Sequence, residues 1–163
     1  MKENKKMLTI LTLFGIKEIH DHVAIIKKLH AGTDVDTVDS GGRTLLMEAV
    51  IKRDHELINI LINNGADVNI RDKRNWTALH FAAQEYDLLS TQKLVQGGAN
   101  VDAQDDYGNS VISRAVFNSR GRGDVIQVLL NHGADVNIKN NSGISALDLA
   151  KRISNYDIVQ FFQ

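Results

Sequence analysis

Hydrophobic and polar residues follow a helical period along much of the chain. Segments 57–62 and 125–130 carry apolar side chains at positions i, i+1, i+4 and i+5, which places them on one face of a helix. These residues are Leu57, Ile58, Leu61, Ile62, Val125, Ile126, Leu129 and Leu130. Small apolar pairs such as Ala49-Val50 precede these segments. The pattern predicts paired short helices, with small residues where neighbouring helices approach closely.

The pattern recurs with a nearly fixed period. Segment 65–69 reads Gly-Ala-Asp-Val-Asn, and related segments begin at Gly98 and Gly133, with a degenerate copy at Gly32. The successive glycines are 33, 33 and 35 residues apart. A second marker keeps the same spacing, beginning at Thr44, Thr77, Ser110 and Ser145. Two markers in phase over four copies indicate a repeat architecture.

Each repeat divides into two helices and a turn. The Thr or Ser hydroxyl is suited to cap the first helix by accepting a backbone N–H. The glycine after the second helix is suited to the left-handed conformation that ends a helix. The polar stretch from Asp67 to Thr77 predicts a projecting turn between successive helix pairs.

These units resemble ankyrin repeats, whose family pattern runs from Gly-x-Thr-Pro-Leu-His-x-Ala-Ala through Leu-Leu to Gly-Ala-Asp-Val-Asn. The resemblance is strong over residues 32–163 and weak over residues 5–31. It implies an all-α repeat solenoid of antiparallel helix pairs with projecting β-hairpin-like turns. We expect one domain over 1–163: a degenerate N-terminal capping unit (1–38), repeats 39–71, 72–104 and 105–139, and a truncated C-terminal capping repeat (140–163).

The chain also departs from the family pattern. It contains no proline, so Leu45, Ala78, Val111 and Ala146 follow the four caps. The family histidine is kept as His80 alone. In the unit 72–104, the polar residues Ser90, Thr91 and Lys93 stand at positions where the preceding repeat has apolar residues. We therefore expect the second helix of that unit to be shifted or loosely packed.

Composition narrows the classes of function. Lys plus Arg is 19 and Asp plus Glu is 20, so the net charge of −1 argues against nucleic-acid binding. Lysines precede an apolar stretch at 7–16, but no small-residue cleavage signal follows and the stretch is too short to span a bilayer. We interpret it as a first amphipathic helix and expect no membrane contact. The absence of cysteine permits a reducing compartment, and we expect a cytoplasmic protein.

No spacing of titratable residues demands an enzyme. His20-Asp21-His22 offers partial metal ligation, but without an identifiable third ligand a solvated helix edge is the preferred interpretation. His80 occupies the family's structural position, and Asp105 shares its register with Asp39 and Asp72 as a turn residue. Gly121-Arg122-Gly123 lacks the preceding strand of a nucleotide loop. We predict no catalytic residue, no cofactor and no metal.

The surface remains as the candidate site. Family contacts commonly come from the projecting turns and the exposed side of the first helix, which form a concave groove. When the repeats of this chain are aligned with these family positions, the predicted partner-binding residues are Arg43, Lys73, Arg74, Trp76, Glu85, Tyr107, Asn109, Phe117, Asn118, Arg120 and Arg122. Among them, Trp76, Tyr107 and Phe117 are predicted to form an aromatic anchor, since aromatics and Arg dominate interface hot spots. The alternative is that some of these rings pack inward.

The longer third repeat carries its two extra residues between Ser119 and Gly123. Arg120 and Arg122 on this Gly-rich loop are suited to bidentate capture of carboxylates, which predicts an acidic protein partner. A tolerated surface insertion is the alternative, because loop lengthening costs little.

The leading interpretation is a non-enzymatic protein-interaction module, monomeric when alone. The chain also resembles stand-alone bacterial ankyrin proteins, some of which are immunity proteins that neutralise a cognate toxin; the phrase from Arg114 to Gly123 is similar to theirs. Alternatives are a structural adaptor or homo-oligomer joined through the end that carries Phe161 and Phe162, and, more remotely, an enzyme or metal protein on a repeat scaffold. We expect those two rings to pack inward.

Overall fold

The computed structural model describes residue 15 and residues 17–153 and 156–162. The helix expected at 7–16 lies outside the described residues, apart from Gly15. The described helices are α1 (His22–His30), α2 (Leu45–Ile51), α3 (His55–Asn63), α4 (Ala78–Glu85), α5 (Leu88–Gln96), α6 (Val111–Asn118), α7 (Asp124–Asn131) and α8 (Ala146–Arg152), followed by a terminal 3-10 helix (Val159–Phe162). Within the described residues, β pairing consists of two isolated bridges, one between Val38 and Thr44 and one between Gln104 and Ser110.

The helices form two layers. Helices α2, α4, α6 and α8 pack on one another in order, and α3, α5 and α7 form the second layer. Short connections at 52–54, 86–87 and 119–123 join each first helix to its second helix. Helix α1 precedes α3 by 33 residues, in the register of a second helix. The predicted all-α repeat solenoid is confirmed.

Small residues allow the first helices to approach closely. Ala49, Ala82 and Ala115 are fully buried, and Ala150 is almost fully buried at the matching position of α8. Large apolar side chains such as Leu57 and Ile58 fill the space between the layers, also without exposure. The core is therefore a continuous stripe that runs through all the units.

The hydroxyl caps and the terminating glycine predicted at the helix ends are present in the structure. The Thr44 hydroxyl accepts the N–H of Met47 at 3.2 Å, and Ser145 accepts that of Asp148 at 3.1 Å. At the end of α3, Gly65 has a φ of 85°. Its N–H and that of Ala66 donate to Ile62 and Leu61, the paired bonds of a Schellman motif.

The expectation of a shifted or loose α5 is wrong. The helix begins 33 residues after α3 and has the same length. Ser90 and Thr91 are fully buried because their hydroxyls have partners: Ser90 donates to the Asp87 carboxylate at 2.6 Å and Thr91 to the Asp87 carbonyl at 2.8 Å. Satisfied hydroxyls of this size replace apolar side chains without displacing the helix.

The terminal segment closes the far end of the described core. Phe161 and Phe162 are half-buried and pack against the core, as expected. Gln127 of α7 donates to the Phe161 carbonyl at 2.9 Å. The Phe161 ring lies directly over Gly123, where a β-carbon would collide with it.

One side chain per unit binds the backbone of the next unit. Carboxylate or amide oxygens of Asp36, Asn69 and Asp102 accept the N–H groups of Asp67, Asn100 and Asp135, at 3.1, 2.7 and 2.8 Å. The donors are the third residues of the Gly-Ala-Asp-Val-Asn segments, and the acceptors end the corresponding segments one unit earlier. The repeated Asn or Asp therefore sets the distance between neighbouring units.

The substitution Asn69→Ala tests this link. It removes the bond to Asn100 and a second one from the Asn69 amide to Gly98. Since a net hydrogen bond contributes roughly 0.5–1.5 kcal/mol, we expect a loss of about 1–2 kcal/mol in the free energy of unfolding, measured by urea denaturation.

The matched control is Asn137→Ala, at the same register two units later. The side chain of Asn137 is exposed and bonds none of the described residues. Its replacement should change stability by less than about 0.5 kcal/mol. Equal losses in the two variants would contradict a role for the Asn69 side chain between units.

Candidate partner-binding surface

Four turns with the same hydrogen-bond pattern project from the helix layers. In the first, the Asp39 carboxylate accepts the N–H groups of Gly41 and Arg43 at 2.7 and 3.0 Å, and the Asp39 N–H donates to the Arg43 carbonyl. Asp72, Asp105 and Asn140 make the same bonds in the later turns. The prediction that these acids are turn residues is confirmed.

Backbone hydrogen bonds join consecutive turns. The N–H of Lys73 donates to Gly41 at 3.0 Å, that of Asp106 to Arg74 at 3.2 Å, and that of Asn141 to Tyr107 at 3.0 Å. Each tip is thereby fixed against its neighbour. The turn side chains consequently form a row of defined spacing beside the first helices.

A groove of about 470 Å³ lies between these turns and the first helices. Its lining combines cations, two acids and two aromatic rings: Arg43, Glu48, Ile51, Lys52, Arg74, Trp76, Phe81, Gln84, Glu85 and Arg114. All of these residues belong to first helices or to the segments around their ends. We call this set the groove.

Arginine side chains stack on the two rings of the groove. The guanidinium carbons of Arg74 and Arg114 lie 4.5 and 4.4 Å from the Trp76 ring centre. Arg43 lies 5.2 Å from the centre of Phe81. Phe81 also packs on Trp76, with 5.0 Å between ring centres. Cation–π contacts of this kind hold the guanidinium groups in place along the groove.

Trp76 is not the exposed aromatic that the sequence predicts. Its exposed fraction is 8%, because Arg74 and Arg114 contact the ring and Phe81 and His80 pack against it. The expected anchor of three clustered rings is therefore wrong in its geometry, and the alternative of inward packing holds for Trp76. A direct role in binding stays a prediction for the other two rings.

Tyr107 and Phe117 are exposed, at 71% and 70%. Tyr107 stands at the tip of the third turn, whereas Phe117 lines a second hollow of about 240 Å³. This hollow also includes Asn109 and Ile144. Asn109 binds both the Asp105 carboxylate and the Asn140 amide, so its side chain is fixed by the turn.

Each groove arginine forms an ion pair with an acidic side chain of the same protein. Arg43 contacts Glu48 at 3.2 Å, Arg74 contacts Asp72 at 3.2 Å and Arg114 contacts Asp105 at 2.6 Å. A guanidinium has five N–H donors, so these bonds leave donors for a ligand. Arg74, with about half of its side chain exposed, is the most accessible of the three.

Other predicted contact residues lie around the groove. Lys73 is exposed on the second turn, and the side chain of Glu85 is held beside Arg53 at 3.7 Å. Asn118 is half-buried and donates to the Arg114 carbonyl at 2.9 Å, one turn earlier in α6. Asn118 is thus tied to its helix, whereas Lys73 is free of side-chain bonds to the described residues.

The two loop arginines differ in setting. Arg120 is exposed and has a left-handed φ of 50°, in the connection between α6 and α7. Arg122 stacks on the Tyr86 ring at 4.1 Å and donates to the Ser119 carbonyl. The two predicted cations therefore differ in role, since Arg122 also supports the loop.

Arg114 lines the groove but is not among the predicted contact residues. It stands four residues after its helix cap, in the register of Glu48, Phe81 and Leu149. This position lines the groove or the second hollow in all four units. Sequence reasoning placed the exposed face near the helix ends, but comparison of the fourth position across repeats could have found it.

His80 has a structural role. Its Nδ1 accepts the Thr77 N–H at 3.1 Å, which completes the cap of α4. Burial lowers the pKa of His80 to about 4, so the ring is neutral near physiological pH. The ring also stacks on Trp76, with 5.9 Å between centres.

A second cluster lies away from the groove. The rings of His20 and His22 both contact the Asp54 carboxylate, at 2.8 Å each. Sequence reasoning found no third group beside the histidines, because Asp54 comes from the next unit. Its register with Asp21 and Asp87, which cap α1 and α5, was the available signal.

The chain belongs to the ankyrin repeat family. Residues 15–105 match the family described as "Ankyrin repeats (3 copies)", and residues 94–150 match "Ankyrin repeats (many copies)". Ankyrin repeats generally act as protein–protein interaction modules, and the family is typically non-enzymatic. Within the described residues, no helix has the length and apolar character needed to cross a bilayer.

Similar proteins come from diverse organisms. Ankyrin repeat protein FPV031 of fowlpox virus is 35% identical over 121 residues, which cover 71% of this chain and 35% of that protein. Human ankyrin repeat domain-containing protein 63 is 36% identical over 124 residues, covering 71% and 32%. A Dictyostelium discoideum protein named as a serine/threonine-protein kinase is 31% identical over 168 residues, covering 80% and 20%. The chain thus spans about a third or less of these relatives.

The ion pair between Asp105 and Arg114 predicts a pH dependence. Burial alone would raise the pKa of Asp105, but Arg114 and the N–H groups of Asn109 and Tyr107 outweigh it and lower that pKa. A lowered folded-state pKa adds stability above the unfolded value, and this stability is lost as the pH falls through the folded pKa.

We therefore expect Asp105→Asn to cost roughly 1–3 kcal/mol near neutral pH, since bonds to a charged acceptor are replaced. The difference from the wild type should shrink as the pH falls below the ordinary aspartate pKa and through the lowered folded-state pKa, because the wild-type carboxylate then becomes protonated as well. Urea unfolding of both proteins at several pH values measures it. A difference that stays constant with pH would contradict the assignment.

Proposed function

We propose that this protein binds a protein partner through the groove and the adjoining turns. The observation that carries this proposal is the row of Arg43, Arg74 and Arg114 stacked on Trp76 and Phe81 along one concave surface. The rings and the paired acids hold the guanidinium groups in place before binding. A preorganised surface loses less side-chain entropy when a partner binds.

The partner presents carboxylates to this surface. Arg43, Lys73, Arg74, Arg120 and Arg122 are the cations among the proposed contact residues, against the single acid Glu85. Arginine forms bidentate bonds with carboxylates, and an excess of one sign also speeds the encounter of complementary surfaces. An acidic segment lying along the row of turns fits this chemistry.

Tyr107 and Phe117 supply apolar contact beyond the charged row. Aromatic residues are enriched in binding hot spots, so these two exposed rings are suited to contact a partner. Phe117, Ile144 and Leu149 are apolar residues that line the second hollow. An apolar side chain of the partner would fill this hollow.

A toxin is the particular partner that we propose, which would make the protein an immunity protein. The support is the exposed Arg120, three residues after Phe117 in the sequence, on the loop that lengthens the third repeat. Its sequence resembles the corresponding phrase of bacterial immunity proteins with ankyrin repeats. Neutralisation in the cytoplasm agrees with a chain that has no cysteine.

A structural adaptor or homo-oligomer is the alternative. It would use the end of the array near Phe161 and Phe162, which are half-buried rather than fully enclosed. Sedimentation equilibrium over a range of concentrations separates the two: a constant mass of 18.1 kDa favours the monomeric binder, and a rising mass favours the oligomer.

The groove is tested by Arg74→Gln, which removes one accessible charge from the row. We expect the affinity for the captured partner to fall by about 1.5–3 kcal/mol, roughly tenfold or more, because a charge-assisted hydrogen bond is lost. The partner is first recovered from the native host with the wild-type protein, and its dissociation constant is then measured by calorimetry.

Lys27→Gln is the matched control. It removes an equal charge from an exposed position on α1, outside the groove. This variant should bind like the wild type. Equal affinities for wild type and Arg74→Gln, with both folded, would remove the groove from the interface.

The loop is tested by Arg120→Glu. Charge reversal at an exposed rim position should slow association with the captured partner by about tenfold or more and weaken its salt dependence. Arg122→Glu should also disturb the Tyr86 contact, so Arg120→Glu is the cleaner variant. If a toxin-like gene lies beside the gene for this protein, coexpression of the two tests neutralisation: undiminished toxicity would exclude the immunity role.

A further inference from the structure

His20, His22 and Asp54 form a compact cluster where the first described unit meets the next. Nδ1 of His20 and Nε2 of His22 both lie 2.8 Å from Oδ2 of Asp54. The three potential ligand atoms lie within 4.8 Å of one another. Asp54 is almost fully buried, His22 is mostly buried and His20 is exposed, so the cluster opens to solvent on one side.

The positions of these three side chains are fixed by their backbone. Ile19 is buried in the core at 4% exposure, which anchors the segment that carries His20. The N–H of Asp21 donates to the Glu18 carbonyl, and His22 opens α1. Oδ1 of Asp54 accepts the Leu57 N–H at 3.0 Å, so the carboxylate is oriented and Oδ2 is directed to the histidines.

The next unit contains a simpler version of the same contact. There, Nε2 of His55 lies 2.8 Å from Oδ2 of Asp87, which corresponds to the pair of His22 and Asp54. Arg53 stands in the register of His20, and Leu89 in that of Glu56. The His–Asp contact between units is therefore structural and repeated, whereas His20 and Glu56 are additions found at the first site.

Both additions have the chemistry of a metal centre. His20 supplies a second imidazole, and Glu56 lies 3.5 Å from Nδ1 of His22, the nitrogen that does not face Asp54. A metal-bound histidine usually gives its other N–H to a carboxylate, which fixes the ring and increases its basicity. Glu56 is in the position for this role.

We propose that His20, His22 and Asp54 bind a divalent transition metal ion of the zinc type. The ligands are Nδ1 of His20, Nε2 of His22 and Oδ2 of Asp54, a set of two nitrogens and one carboxylate oxygen suited to Zn²⁺. The fourth coordination position is open to water or to a side chain of a partner.

Metal binding requires the ligand atoms to shift. With metal–ligand distances of about 2.0–2.1 Å, tetrahedral ligand atoms lie about 3.3 Å apart. Both nitrogens are 2.8 Å from the carboxylate oxygen, so each moves about half an ångström away from it, and the two nitrogens, which lie within 4.8 Å of each other, take up the same spacing of about 3.3 Å. His20, being exposed, has room for this shift. Bound metal would link the segment before α1 to the start of α3.

The test uses the full chain, purified without a polyhistidine tag. Zn²⁺ is titrated by calorimetry, and Co²⁺ is added as a spectroscopic probe. We expect one ion per chain, a visible absorption band of tetrahedral Co²⁺ with nitrogen and oxygen ligands, and a higher melting temperature in Zn²⁺. The absence of binding to the wild-type protein would overturn the proposal.

His20→Arg is the decisive variant because it copies the arrangement of the second unit. The contact of His22 with Asp54 remains, so the fold should be kept, as circular dichroism can check. Loss of a direct ligand should weaken Zn²⁺ binding by more than the roughly 10–100-fold that loss of an outer partner costs. Binding equal to that of the wild type would overturn the proposal.

His55→Gln provides the matched control. It removes the structural histidine of the second site and leaves the three proposed ligands in place. This variant should retain the wild-type stoichiometry and Zn²⁺ affinity even if its melting temperature falls. A loss of binding as large as that of His20→Arg would show that the ion depends on general stability, which contradicts a site at the first cluster.

Discussion

The fold depends on hydrogen bonds that pass from each unit to the next. Asp36, Asn69 and Asp102 accept backbone N–H groups of the following unit, and the projecting turns bond one another through their backbones. These contacts lie on the exposed edges of a core made by small and apolar side chains. They determine how far apart, and in which register, the hydrophobic faces meet. Since each unit of a repeat protein contacts only its neighbours, these bonds contribute to every interface that they cross.

The fixed spacing explains how the proposed binding surface arises without a deep pocket. Side chains at equal positions of successive units line up, so the fourth position of each first helix contributes to the groove or its neighbouring hollow. Arg114 then reaches Trp76 of the preceding unit and Asp105 of its own turn. The same regularity brings His22 to Asp54 and His55 to Asp87. Differences between units, such as His20 against Arg53, give each junction its own chemistry.

The repeat period, together with the resemblance to ankyrin repeats, predicted the fold. The caps at Thr44 and Ser145 and the glycine at 65 follow from local rules, and they stand where the sequence places them. The error at α5 has a local cause, since Ser90 and Thr91 were judged by polarity although Asp87 satisfies both hydroxyls.

The contacts at the candidate site and at the histidine cluster were harder to predict from the sequence, because they join side chains of different units. Trp76 is covered by Arg74 from its own turn and Arg114 from the next unit, which its position in the repeat does not reveal. Asp54 likewise comes from the unit after His20 and His22. The exposed Tyr107 and Phe117 were identified correctly as surface residues because their register is that of turn tip and outer helix end.

Hydrogen–deuterium exchange with and without the bound protein partner tests the central claim most directly, because it reports every backbone segment at once. The account predicts that protection on binding is concentrated in the turns at 39–43, 72–76 and 105–109 and in the loop at 118–123, while α3, α5 and α7 are unchanged. Protection confined to those second-layer helices, with the turns unaffected, would contradict it.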